Sequence, residues 1–281
     1  MNVGRVKSYA KINLALNVIG KADSFHKIES IITFITLHDL ISIKKINSSD
    51  HYIYFCGKFS KNISKNNTIQ KLFKILDKNK LLNNNKFQIK IKKNIPQKAG
   101  LGGGSMNAAN ILNYLIKKKF IKINKKKTQS ICSSIGSDVF LGLKSKSAIL
   151  SSNNDLKRFT KCPKFYTLLV RPNFGCSTKK IYSGVKNFTK SKFNKPRKVM
   201  FSSKYLSKQN NALELVAFSK YPKLKKIKFF LKSLKSPLFV RMTGSGSVIV
   251  AYYQSKKDCD MAKVEFKRKF ENYWCNVSKT I

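Results

Sequence analysis

From Val6 to Val18 the apolar residues Val6, Ala10, Ile12, Leu14, Leu16 and Val18 fall on even positions, interrupted only by Ser8. That period of two predicts a half-buried strand, with Lys11 and Asn13 sharing the opposite face about 6.5 to 7 Å apart. Further strands are predicted over 40–46, 51–56 and 86–92. Ile69, Leu72, Phe73 and Leu76 recur at helical spacing and predict a helix from Thr68 to Lys78. The glycine-rich stretch 94–104, NIPQKAGLGGG, opens onto SMNAANILNYLIKKK. There Ser105 is a candidate N-cap, and Ala108, Ala109, Leu112, Leu115 and Ile116 mark a buried helical face.

A short helix around 127–135 ends near Gly136, and a strand follows at 147–151. The polar stretch 151–162, SSNNDLKRFTKC, reads as a linker. Beyond it, strands are predicted at 165–170, 238–242, 247–252 and near 273–277. Helices are predicted near 178–187, 208–218, 222–234 and 255–270. The elements alternate without a repeat, so the chain reads as α+β, in two layered domains.

Composition narrows the choice of function. With 42% hydrophobic residues in 281, the chain can bury a core and is not disordered as a whole. The formal charge of +46 invites a nucleic-acid reading, yet only six of the 58 cations are Arg, the residue whose planar fork suits phosphates and base edges. Lys, Asn and Ile are spread over the entire length, as AT-rich coding would produce. No specific nucleic-acid partner is therefore expected, although the charge favours anionic small molecules. Six scattered Cys without a C-x-x-C pair read as reduced thiols. No apolar run is long enough to span a bilayer, and the N-terminus lacks the pattern of a secretory leader, so no membrane partner and a cytoplasmic location are expected.

The strongest local chemistry lies in Gly100-Leu101-Gly102-Gly103-Gly104 running into a helix. Consecutive glycines let backbone N–H groups converge, and a helix N-terminus favours an anion, which together make a phosphate cradle. The pattern is neither a P-loop nor a dinucleotide fingerprint. A second glycine pair in Thr243-Gly244-Ser245-Gly246-Ser247 fits a hairpin turn equally well. Among the 12 acids, Asp138 stands out because it lies between Gly136-Ser137 and Val139-Phe140-Leu141, where burial is expected. A buried acid is costly unless paired or functional, although a helix cap would also explain it. The other aspartates, Asp39 among them, read as polar or helix-surface residues. Lys11 is either a solvated strand lysine or, with Asn13, part of a site. Phe25-His26 could stack on and hydrogen-bond a heterocyclic base, or be a packed turn.

Together, Tyr9-Ala10-Lys11-Ile12-Asn13-Leu14, Pro96 to Ala109, Gly136-Ser137-Asp138-Val139 and Met242-Thr243-Gly244-Ser245-Gly246 resemble, in order, the motifs of the GHMP small-molecule kinases. Asp23 to His26 and the GLGGGS loop resemble the branch acting on a cytidine diphosphate-linked sugar alcohol. Homoserine and mevalonate-type kinases, or a basic RNA-binding protein, are the alternatives. The resemblance implies a ribosomal protein S5 domain 2-like N-terminal domain binding ATP, residues 1–155. It implies a ferredoxin-like domain on the substrate side, residues 156–281. It also implies roles, with Asp138 as general base and Lys11 as the cation steadying charge. Asn67 and Lys93 fall at positions near the adenine. The phosphate loop is Pro96, Gln97, Lys98, Ala99, Gly100, Leu101, Gly102, Gly103, Gly104, Ser105 and Met106. Asn13, Phe25, His26, Thr178, Thr243 and Gly244 fall on the substrate side. ATP would bring its own Mg²⁺, with no dedicated metal ligands in the chain. A monomer or weak homodimer is expected.

Overall fold

Two long strands organise the chain, which the computed structural model describes over residues 3–22 and 25–281. β1 (Gly4–Ala22) and β2 (Phe25–Ile46) pair with each other, and each passes through both of the units into which the chain divides. Unit 1 takes Met1–Ala10, Leu37–Gln97 and Gly102–Ser145, and unit 2 takes Lys11–Thr36, Lys98–Leu101 and Lys146–Ile281. These units do not follow a single cut at 155/156, because β1, β2 and the glycine-rich stretch each contribute to both.

Unit 1 is a sheet with helices on one face. β4 (Lys86–Lys92) lies between the Leu40–Ile46 end of β2, to which it is antiparallel, and β3 (Tyr52–Cys56), to which it is parallel. The register aligns Ile43, Ile89 and Ile53 in one row and Ile41, Ile91 and Phe55 in the next, so one face is continuously apolar. Against it pack α1 (Thr68–Lys78), α2 (Gly103–Lys117) and α3 (Lys125–Ile135), followed by the single turn α4 (Val139–Gly142). α1 buries Ile69, Leu72, Phe73 and Leu76, each stabilising by about 1.5–3 kcal/mol relative to exposure. Asn67 caps it by accepting from the Ile69 and Gln70 N–H groups.

A buried ion pair fixes the approach to the glycine-rich stretch in this unit. Asp39 is fully buried, not on a polar surface. Its carboxylate accepts from Lys93 Nζ, from Asn107 Nδ2 on α2 at 2.9 Å, and from the backbone N–H groups of Asn94 and Ile95 at 2.8 and 2.9 Å. Four donors satisfy the carboxylate, and the exit of β4 is tied to α2.

In unit 2, β5 (Ala148–Leu150) pairs with Ser30–Ile32 of β2 and with β6 (Leu156–Arg158). The expected linker at 151–162 is thus half of a hairpin, turned by Asn154 at φ +62°. Three-residue strands carry no readable period, which is why polar composition alone misassigned it. A second, antiparallel sheet runs β10 (Trp274–Lys279), β7 (Tyr166–Arg171), β9 (Ile249–Tyr253), β8 (Phe239–Met242). Leu168, Val170, Met242, Ile249 and Ala251 share a core with Leu16 and Val18 of β1 and with helices α8 (Pro222–Ser233) and α9 (Lys256–Lys269). The short α5 (Thr178–Tyr182), α6 (Ser203–Ser207) and α7 (Glu214–Lys220) complete the unit. Buried Arg241 of β8 donates to the carbonyls of Leu14, Leu206 and Gln209, and Glu214 accepts from Met242 N at 2.7 Å and Lys228 Nζ at 2.5 Å.

Neither half of β1's alternation is exposed. Lys11 and Asn13 retain only 6% and 3% of their surface, so the half-buried strand expected from period two is buried on both faces from Ala10 to Val18. Among the described residues no helix is long and apolar enough to cross a membrane.

Asp39→Asn should destabilise the protein by about 3 kcal/mol, because it leaves the Lys93 ammonium buried without its counter-charge. Urea unfolding followed by circular dichroism measures this, and an unchanged midpoint would contradict the keystone role.

Candidate active site

Four consecutive carbonyls of the glycine-rich stretch are each held by a different part of unit 2. The Cys176 N–H donates to Lys98 O at 3.1 Å, and the Val248 N–H to Ala99 O at 3.3 Å. Thr243 Oγ1 donates to Gly100 O at 3.2 Å, and the Lys11 N–H to Leu101 O at 3.1 Å. Gly100 has φ +75°, and a Cβ there would lie 2.0 Å from Thr243 O. Gly244, at φ +52°, would put one 3.0 Å from Gly100 O. The two glycine segments therefore meet backbone against backbone, a contact only glycine permits. The 243–247 segment connects β8 to β9, but its sequence also serves this contact, which a hairpin turn alone would not require.

The same cluster orients Lys11. Its Nζ donates to Asn13 Oδ1 at 2.7 Å, Asn13 Nδ2 donates to Ser30 Oγ at 2.8 Å, and Ser30 Oγ donates to Ala15 O at 2.6 Å. Asn13 N donates in turn to Thr243 Oγ1 at 3.0 Å. Asn211 holds the second glycine segment from behind, its Nδ2 bonding Met242 O and Gly244 O at 2.8 Å each. Thr178 Oγ1 and Ser245 Oγ are 2.9 Å apart. Unit 2 thus brings together Lys11, Asn13, Lys98 to Leu101, Thr178, Thr243 and Gly244. His26 lies elsewhere on β2, its ring 5.3 Å from Tyr182 and 6.5 Å from the exposed Phe188. The Phe25 side chain, with Asp23 and Ser24, lies outside the described residues.

Unit 1 carries the remaining candidates. Gly102, in the left-handed region at φ +67°, occupies the N-cap position of α2 and supplies no side-chain cap. Ser105 is therefore the third residue of the helix and not its cap. The first intrahelical bond is from Met106 N to Gly102 O at 2.9 Å, so the N–H groups of Gly103, Gly104 and Ser105 form the uncapped first turn. This turn offers an anion the donors and the dipole end it prefers. The Met106 side chain points inward: a Cβ on Gly142 of α4 would lie 3.0 Å from Met106 Sδ and 2.8 Å from Ala109 Cβ. That close approach seats α4, and Asp138 at its N-cap position, against the first turns of α2. Asp138 makes no side-chain cap bond and is half-buried, not interior as its apolar neighbours suggested.

Other candidates are committed to structure. Asn67 caps α1, and the Lys93 ammonium is engaged by Asp39 near the start of α2. Pro96 is buried, and Gln97 Nε2 donates to the carbonyls of Phe59 and Lys61 at 2.9 and 2.8 Å. All six cysteines are free thiols. Burial pushes Cys132 and Cys176 up to about 11 and Cys259 up to about 12, so they are unreactive as nucleophiles.

Sequence reasoning missed Asp39, Asn211 and Arg241. A lone Arg inside the apolar run LFVRM was a usable signal, since Arg is seldom buried without dedicated acceptors. Asp39, between Leu37 and Leu40-Ile41, was a weaker one.

Residues 67–147 match the GHMP kinases N terminal domain. The chain is 59% identical over its full length to the whole 4-diphosphocytidyl-2-C-methyl-D-erythritol kinase of Pelagibacter ubique. It is 35% identical to the enzyme of that name from Petrotoga mobilis, over 87% of this chain and 96% of the relative. A crystal structure of 4-(cytidine 5'-diphospho)-2C-methyl-D-erythritol kinase superposes with a TM-score of 0.78 at 23% identity, covering 98% of this chain and 99% of the other. Homoserine kinase from Cytophaga hutchinsonii superposes at 0.72 with 14% identity, covering 100% and 95%. The fold is thus the α+β fold of the GHMP kinases.

Gly100→Ala should cost about 3 kcal/mol or more, from the left-handed φ together with the displaced Thr243 carbonyl. Gly104→Ala, with no positive φ and only the Thr68 hydroxyl within 3.4 Å of its new Cβ, should stay within about 1 kcal/mol of the parent. Thermal melting of the two variants side by side tests the asymmetry.

Proposed function

We propose how the residues divide the work in a chain that belongs to the 4-diphosphocytidyl-2-C-methyl-D-erythritol kinase family of the GHMP kinases. The protein is a phosphotransferase with an alcohol acceptor, phosphorylating 4-diphosphocytidyl-2-C-methyl-D-erythritol at the expense of ATP in isoprenoid precursor synthesis. The acceptor atom in our reading is the 2-hydroxyl.

Phosphoryl transfer asks a protein mainly for positioning and for neutralisation of charge. The first-turn N–H groups of α2 and the glycine-rich stretch Pro96 to Met106 receive the triphosphate. Lys11, oriented through Asn13 and Ser30, supplies the cation that steadies charge developing on the transferred group. Asp138 accepts the proton of the attacking hydroxyl. The single observation that carries this reading is the convergence in unit 2 of three segments distant in sequence, Lys11 with Asn13, Gly100 and Thr243, through the Asn13 and Thr243 side-chain hydrogen bonds and a backbone approach at Gly100 that leaves no room for a Cβ there.

Asn13, Phe25, His26, Thr178, Thr243 and Gly244 face the cytidine diphosphate substrate in this reading, with His26 as the hydrogen-bonding ring. Asn67 and Lys93 bear on the adenine end by fixing α1 and the entry to α2. Among the described residues no three His, Cys, Asp or Glu side chains converge as a cation site. In our reading Mg²⁺ comes with the nucleotide, where it would neutralise phosphate charge, with Ser105 Oγ as the protein donor. We further read the enzyme as cytoplasmic, a monomer or weak homodimer without a specific nucleic-acid partner, since a net charge of +46 opposes self-association.

Asp138→Asn should lower kcat by about a thousandfold with the KM for ATP within about threefold, because the base acts in the chemical step. A coupled assay of ADP release reads both, and an unchanged kcat would overturn the assignment. His26→Ala should raise the KM for the cytidylyl substrate about tenfold while the KM for ATP holds. Equal loss of both would count against a cytosine contact.

A further inference from the structure

The segment from Val185 to Arg197 has no regular secondary structure, and most of its residues are exposed. It is nonetheless anchored at successive points. Thr189 N donates to Val18 O at 2.9 Å, the Phe193 side chain is fully buried, and Ser152 Oγ donates to Asn194 Oδ1 at 2.5 Å. The central anchor is a carboxylate. Glu29 of β2 is completely buried, and its Oε1 accepts from Asn17 Nδ2 and Lys192 N at 2.8 Å each. Its Oε2 accepts from Ser191 Oγ and Phe193 N at 2.9 Å each.

A buried carboxylate is expensive, and here the cost is offset by four donors, two of them backbone N–H groups of an irregular segment. Those N–H groups have no ladder to join, so Glu29 stands in for one. The same strand presents His26 three residues earlier, and the same segment presents Phe188 immediately before its first anchor. The Phe188 ring is exposed and 6.5 Å from that of His26, and the Tyr182 ring is also a neighbour of His26 at 5.3 Å. Both oxygens are needed as acceptors, since each takes two of the four donors. The carboxylate thereby fixes the backbone of Lys192 and Phe193, in an exposed, irregular segment, against the strand that carries His26.

We infer that Glu29 is a positioning residue for the cytidylyl substrate, fixing the 188–193 segment so that the Phe188 ring stays beside His26. It touches no reacting group. The inference rests on the reading above that His26 faces the cytidine end.

The experiment uses the full-length enzyme and separate KM determinations for the two substrates. Glu29→Gln preserves volume but turns an NH₂ toward donors, so at least one anchor is lost. The expected result is a rise of about fivefold to tenfold in the KM for the cytidylyl substrate, with kcat and the KM for ATP within about twofold. Phe188→Leu should act in the same direction, and the double variant should be no worse than Phe188→Leu alone, because both remove one interaction. Ser191→Ala, which deletes one donor and leaves the carboxylate in place, should give a smaller rise in the same constant and serves if Glu29→Gln does not fold. An unchanged substrate KM in Glu29→Gln, a parallel rise in both KM values, or additive effects in the double variant would overturn the inference. If His26→Ala raises the substrate KM while Glu29→Gln does not, only the positioning role falls. If His26→Ala leaves it unchanged, both readings fall.

Discussion

The contact on which the rest depends is backbone against backbone, where Gly100 meets the Thr243 carbonyl and Gly244. Hydrogen bonding follows from it. With the two segments at this separation, Thr243 Oγ1 accepts from Asn13 N and donates to Gly100 O at once. Lys11 N reaches Leu101 O, and the Lys11 side chain is delivered to Asn13. A methyl group at Gly100 would push Thr243 away from Gly100 O, and with it the bond from Asn13 N. Glycine is usually chosen for conformational freedom, but here its small volume matters as much as its positive φ.

A second constraint concerns how a chain with 58 cations and 12 acids uses the acids. Three of them, Glu29, Asp39 and Glu214, are buried, and each accepts from at least one backbone N–H group that belongs to no sheet or helix ladder of its own. Asp39 ties the exit of β4 to α2, Glu214 ties α7 and α8 to β8, and Glu29 holds the 188–193 segment. Carboxylates suit such junctions because two oxygens offer about four acceptor sites in fixed geometry. Surplus lysine on the surface leaves these junctions untouched, since screening by solvent and salt blunts exposed charge far more than buried charge.

The elements that were legible in the sequence are those with a clear period or cap. The helix from Thr68 to Lys78 and the strand 86–92 lie where the spacing puts them. Much of β2 was not legible, because Ile31 to Ile35 holds four apolar residues and Thr33 without a period of two and is buried throughout. β6 escaped because it is three residues of mixed polarity whose strand character comes from pairing with β5. The helix start was off by three residues: Ser105 looked like a cap, while Gly102 takes that position with no side chain at all. At the site, the glycine segments and the Lys11–Asn13 pair were visible as patterns, but Asp39, Asn211 and Arg241 act through partners more than 30 residues away. Such partnerships are tertiary and leave no local mark.

The buried thiols have a practical reach beyond packing. Cys132 belongs to the core of unit 1, and Cys176 and Cys259 to that of unit 2. Each is protected both by sequestration and by a proton held well above neutrality. An alkylating probe added at neutral pH therefore labels each one only when its own region opens. Peptide mapping of that labelling times the opening around each thiol without any engineered tag.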